Sequence, residues 1–202
     1  MDFSSVLRGR RMVRRYTPEP IAPAVVDRML AHAVRAPSAG FTQGWEFLVL
    51  EHPGDVEAFW SATTPPGQAA EPTSWLRGMR TAPLIIIPLS SKEAYLQRYA
   101  EPDKGWTDRD EARWPVPYWH VDAGMAALLI MLTAVDEGLG AAFFGIPAER
   151  LPVLREVFGI PADHTPVGAI TVGHPAPGEQ PTGSPRTRRR RPAAEVTHRG
   201  HW

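Results

Sequence analysis

The chain has 202 residues, no cysteine, and equal numbers of basic (22) and acidic (22) side chains. That length builds one domain with a sizeable core and is short for two, and the 43% hydrophobic and 22% charged shares exclude a disordered or fibrous protein. Without cysteine there is no disulfide, thiolate nucleophile or thiolate metal site, and a reducing cytoplasm is the expected setting.

Asp2 can cap a short first helix through Leu7, and this stretch lacks the long apolar core of a signal peptide. A second helix begins near Pro23, with Val25, Val26, Met29, Leu30, Ala33 and Val34 at helical spacing, and ends before Pro37. Trp45 to Leu50 and Leu84 to Ile87 read as strands. An amphipathic piece near Val56 to Trp60 and a Pro/Gly/Thr loop, 63–73, lie between them. Residues 101–117 are polar and irregular around Trp106 and Trp114, and a loop of this length is expected to be a lid. Tyr118 to Gly138 reads as a long central helix. Its apolar run from Ala123 to Val135 falls well short of the roughly 20 residues that span a bilayer, so we expect it inside the protein. A strand over 141–146, a helix over 149–158 and a strand over 166–173 follow. A Pro/Gly-rich connector then leads to an arginine cluster and a tail ending in Trp202. Helices interleaved with single strands argue an α/β or α+β sandwich, and no repeat divides the chain.

The charge is unevenly placed. Arg8, Arg10, Arg11, Arg14 and Arg15 cluster near one end, and Arg186, Arg188, Arg189, Arg190 and Arg191 near the other. These ten leave twelve basic side chains against 22 acidic ones elsewhere. Two basic ends around an acidic middle suit an anionic partner, and guanidinium groups grip phosphate oxygens in pairs. On spacing alone, a convergent phosphate site and two solvated basic faces both remain open. Nucleic acid fits less well, because the clusters are short, lack interleaved aromatics and belong to a chain with no net positive charge.

Other chemistries leave no mark. There is no Gly-x-Gly-x-x-Gly after a strand, no phosphate loop ending in Gly-Lys-Ser/Thr and no Gly-x-Ser-x-Gly elbow. His198 and His201 have zinc-like spacing, but the polar tail offers no further ligands.

Five segments, in order, carry a resemblance. Arg10-Arg11-Met12-Val13-Arg14-Arg15-Tyr16 is followed by Ala36-Pro37-Ser38-Ala39-Gly40-Phe41-Thr42-Gln43-Gly44-Trp45. Gly138-Leu139-Gly140 comes next, then Phe158-Gly159-Ile160-Pro161 through Val172-Gly173-His174-Pro175, and lastly Arg188-Arg189-Arg190-Arg191-Pro192. Together they resemble the FMN-dependent nitroreductase family across nearly the whole chain. The resemblance implies a single α+β domain, an α/β/α sandwich whose mixed, largely antiparallel central sheet is flanked by helices. It also implies a homodimer exchanging a C-terminal arm, here 176–202. FMN would be held by Arg10, Arg11, Met12, Arg14, Gln43, Arg188 and Arg190, and by Pro37, Ser38 and Ala39 of the other subunit. Phe144, Gly145 and Ile146 would bring a backbone N–H near flavin N5. The implied activity passes hydride from NADPH or NADH, through FMN, to a small electron-poor acceptor such as a nitroaromatic or quinone, with ping-pong kinetics. No catalytic side chain, metal, nucleic acid or membrane is implied. The same fold also accommodates an FMN-dependent dehydrogenase, a deazaflavin-using reductase or a flavin-storage protein. Met12, Phe41 and Gly44 depart from the family's usual Ser, Asn and Pro.

Overall fold

Leu84–Ser90 is buried at every position, which only a strand covered on both faces can be. A computed structural model describing residues 1–202 supplies both covers. In chain order the elements are α1 (Phe3–Gly9), α2 (Pro23–Ala33), β1 (Trp45–Leu50), α3 (Pro53–Thr63), α4 (Pro66–Ala70), α5 (Ser74–Met79) and β2 (Leu84–Ser90). They continue with α6 (Lys92–Ala100), α7 (Tyr118–Asp136), β3 (Gly140–Phe144), α8 (Leu151–Phe158), β4 (Thr165–Pro166) and β5 (Ala169–Gly173).

The sheet runs β1-β2-β5-β3, with β4 also on β2, and every pairing between strands is antiparallel. Side chains alternate across it. Leu84 and Ile86 of β2 join Ile170 and Val172 of β5 beneath α2 and α7, among Met29, Ala123 and Ile130. Ile85, Ile87 and Leu89 face the other way, onto Phe59, Trp60, Leu76, Met79 and Leu154 of α3, α5 and α8. This is the expected three-layer sandwich. The parallel component is one isolated bridge, Met12 to Ala141, outside the named strands.

Several boundaries move for local reasons. The expected strand over 166–173 is divided, since β4 pairs with Leu89–Ser90 and β5 with Leu84–Ile86. Pro88, which has no N–H to donate, falls between those two stretches. The expected strand over 141–146 leaves the sheet after Phe144. Helices α4, α5 and α6 lie where the sequence shows little periodicity. The apolar α7 passes a length-and-hydropathy test for a membrane span, but half of it is buried against α2, β2 and β3, as a core helix is.

Residues 101–117 are stapled down by aromatic rings. Trp114 packs 4.5 Å from Tyr99, 5.6 Å from Trp106 and 6.0 Å from Trp119, centroid to centroid. Beyond residue 180 every residue is exposed, and the Trp202 ring stacks on that of His198 at 4.3 Å.

Candidate flavin site

Past α1 the chain crosses the end of β3. Val13 N–H donates to Ala141 O at 3.0 Å. The last residue of the Gly-Leu-Gly segment makes that approach possible, because a Cβ on Gly140 would meet the Val13 side chain at 2.6 Å. Phe143 N–H donates to the Met12 sulfur at 3.4 Å, so the methionine that replaces a hydroxyl residue ties the arginine segment to the strand. Tyr16 anchors the far end, its hydroxyl donating to Val13 O at 2.5 Å and lying 2.9 Å from Thr171 Oγ1. Burial raises that hydroxyl's pKa far above the ordinary tyrosine value.

Arg10 to Arg14 are thereby fixed, and their partners differ. Arg11 forms an ion pair with Glu179, whose side chain is only 5% exposed and also accepts from Arg14 N–H at 3.1 Å. The Arg11 charge is therefore already answered within the chain. The Arg14 guanidinium donates only to neutral groups, Met12 O at 3.4 Å and Thr182 at 3.2 Å through its carbonyl and 3.5 Å through its hydroxyl. Arg10 forms no ion pair.

Arg14 and Arg15 line a cavity of about 640 Å³ with Ser74, Trp75 and Gly78 of α5, and 178–180 and 182–184 of the connector complete its lining. A Cβ on Gly78 would lie 2.3 Å from Arg14 O, so glycine lets α5 press onto the arginine backbone. Trp75 also borders a smaller cavity of about 80 Å³ lined by Phe144, Gly145 and Ile146. Phe144 stacks flat on Trp60, 5.6 Å away at 6°, and meets Trp75 edge-on at 5.5 Å. Trp75 thus stands between the two cavities, with the Arg14 guanidinium at one and the segment 144–146 at the other.

The structure brings Arg14 to the larger cavity and Phe144, Gly145 and Ile146 to the smaller one, while Arg10, Arg11 and Met12 line neither. Pro37, Ser38, Ala39 and Gln43 line neither cavity. Arg188 and Arg190 stand exposed on the tail with no side-chain partner. The sequence reading missed Ser74, Trp75, Gly78, Trp60 and Glu179. Glu179 alone carried a signal, as the only acid between Asp163 and Glu195.

The donor set suits FMN. The cavity falls in the range of about 300–1,000 Å³ for cofactor pockets. Two guanidiniums on the cavity, Arg14 and Arg15, have no carboxylate partner and can take a terminal phosphate, and an aromatic wall can take a ring. The model of the Nitroreductase family matches residues 7–174. The chain belongs to the Nitroreductase family.

Among its relatives, an Archaeoglobus fulgidus protein named "Putative NADH dehydrogenase/NAD(P)H nitroreductase" is 26% identical over 168 residues, covering 82% of this chain and 81% of its own. Two solved structures show the same fold. A nitroreductase family protein of Streptococcus pneumoniae superposes with a TM-score of 0.74 at 19% identity, covering 98% of this chain and 100% of its own. An FMN-dependent nitroreductase of Clostridium difficile gives 0.71 at 19%, covering 99% and 100%.

Proposed function

We propose that this member of the Nitroreductase family is a homodimeric oxidoreductase that holds FMN and uses NADH or NADPH to reduce a small electron-poor organic acceptor, such as a nitroaromatic or quinone. The observation that carries the reading is the unpaired guanidinium of Arg14 on a cavity that Trp75 joins to the backbone of Phe144–Ile146. Arg10 and Arg14, with Arg188 and Arg190 from the tail, grip the phosphate. Arg11 serves through Glu179, and Met12 and Gln43 shape the neighbouring backbone. Bound FMN supplies hydride acceptance and delivery, so the protein needs no acid or base of its own for that transfer. Its residues instead orient the ring, present the N–H groups of 144–146 and keep water off one face. With one slot for both, reductant leaves before acceptor enters.

The second copy is supported by α7. Tyr118, Val121, Met125, Leu128 and Leu132 recur at helical spacing along its uncovered side, and Tyr118, Met125 and Leu128 are each more than 40% exposed. Pro37, Ser38 and Ala39 would then reach the flavin of the partner. The exposed arm beyond residue 180, with Val196 and Trp202 uncovered, and the open edge of the sheet at β1 support an exchanged tail.

Fluorescence titration of the apoprotein with FMN tests the reading. One charge-assisted bond contributes about 1.5–3 kcal/mol, so Arg14→Ala should weaken FMN about 10- to 150-fold. Unchanged affinity in Arg14→Ala would remove Arg14 from the site.

A further inference from the structure

The loop from Pro37 to Gln43 holds an unusual backbone. Gly40, Phe41 and Gln43 have φ of +62°, +54° and +53°, and the latter two carry side chains that disfavour this region. Phe41 is also 77% exposed, so its own packing does not fix it. Strain of this kind persists only where the surroundings over-determine it.

Those surroundings are specific. Ala39 N–H donates to Asp122 Oδ2 at 2.8 Å, and Tyr95 Oη donates to the same oxygen at 2.7 Å. Asp122 lies in α7, is 3% exposed and forms no ion pair. A buried carboxylate without a cation is costly to keep, and its two donors are what it holds. The Tyr95 ring extends the grip to the loop's other end, since a Cβ on Gly44 would meet it at 2.6 Å. Glycine in place of the family's usual proline is explained by that ring. Arg98 Nε donates to Gly40 O at 3.0 Å, and Tyr99 sits where a Cβ on Gly40 would fall, 2.7 Å away. Tyr95 in turn packs against Trp114 and Trp119, at 5.9 and 6.3 Å, so the 101–117 excursion helps cover this hub. Burial, and then the bond to Asp122, raise the Tyr95 pKa, keeping its hydroxyl a donor.

We infer that Asp122 is a positioning residue: it fixes Ala39, and through Tyr95 the whole 37–44 loop, in the strained shape that closes the flavin slot of the partner subunit. The inference rests on the proposed reading for the loop's target, and on the geometry above for the loop's shape.

The test uses the full-length flavin-loaded protein with Asp122→Ala, Asp122→Asn and Tyr95→Phe. Three quantities are read: hydrogen exchange of the 39–44 amides, the FMN dissociation constant by flavin fluorescence, and the visible circular dichroism of bound flavin. Losing one charge-assisted acceptor should speed loop exchange and weaken FMN by more than about tenfold in Asp122→Ala, with an altered flavin dichroic band. Asp122→Asn keeps a carbonyl for both donors and should restore affinity to within about threefold. Should Asp122→Ala fail to fold, Tyr95→Phe decides, and is expected to loosen 39–44 in an intact fold. Unchanged exchange in the folded variants, or an Asn variant as impaired as the Ala variant, overturns the inference. If the wild type takes up no FMN, the proposed function falls, and amide exchange still decides the role of Asp122 in the loop.

Discussion

Replacing Arg11 with alanine leaves the Glu179 carboxylate buried, with only the Arg14 amide to answer it. A charge-assisted bond contributes about 1.5–3 kcal/mol, and losing one partner of a fully buried pair costs about 3–5. Arg11 keeps 35% of its side chain exposed while Glu179 keeps 5%, which places the expected loss near the lower range, about 2 kcal/mol. For a chain of this size that is a fall in Tm of about 4–8 °C. Glu179→Gln still accepts from Arg14 N–H and should lose about 1 kcal/mol. The double variant should then be no worse than Arg11→Ala, a coupling of about 1 kcal/mol. The connector carrying Glu179 is one wall of the cavity, so FMN affinity should fall in both single variants. Thermal unfolding followed by circular dichroism, with FMN titration alongside, gives the full cycle. Additive losses, with coupling under about 0.5 kcal/mol, would refute the clasp. So would tighter FMN binding by Glu179→Gln, the result expected if Arg11 were a direct phosphate ligand that Glu179 merely occupies.

Phe41→Asn should raise stability by about 1 kcal/mol, or about 2–4 °C in Tm, because asparagine tolerates the left-handed region better; a lower Tm would mean the phenyl ring is packed by something else. Burial lowers the His120 pKa below its ordinary 6.5, so protonation disfavours the folded state. Its contribution to stability is complete above pH 6.5 and is lost as pH falls below that value, and Tm measured between pH 7.5 and 5 should decline less in His120→Gln than in wild type. Deleting residues 193–202 should cost both dimer and flavin, checked by light scattering and visible absorbance, and a truncated protein that stays a flavin-loaded dimer would rule out the exchanged arm.

Where burial repeats at short intervals, sequence and structure agree. Met29 and Ala33 in α2, Ala123, Ala126, Ala127 and Ile130 in α7 and Ile170 with Val172 in β5 all lie in the core as their spacing implies. Helix α6 escapes that logic, since only Tyr95 among its nine residues is buried and no apolar period marks it. The six-residue α5 is too short to show a period, yet it brings Trp75 to the cavity. The arginine segment was visible by composition, but the sorting of its members was not. Glu179 lies 168 residues from Arg11, and nothing local announces that the two meet. Phe41, which stands where the family usually has Asn, holds a backbone conformation that a one-dimensional pattern cannot display. Asp122 was hidden in the most apolar helix of the chain. Its meaning depends on which backbone amide folds against it.

The visible absorbance of the purified protein, recorded without air before and after NADPH and then NADH, tests the central claim most directly. A yellow protein is expected, one that releases FMN and not FAD on denaturation, is bleached by at least one nicotinamide, and regains its colour when a quinone or nitroaromatic is added. A colourless protein that cannot be reconstituted with FMN, or a bound flavin that dithionite bleaches and neither nicotinamide does, would contradict it.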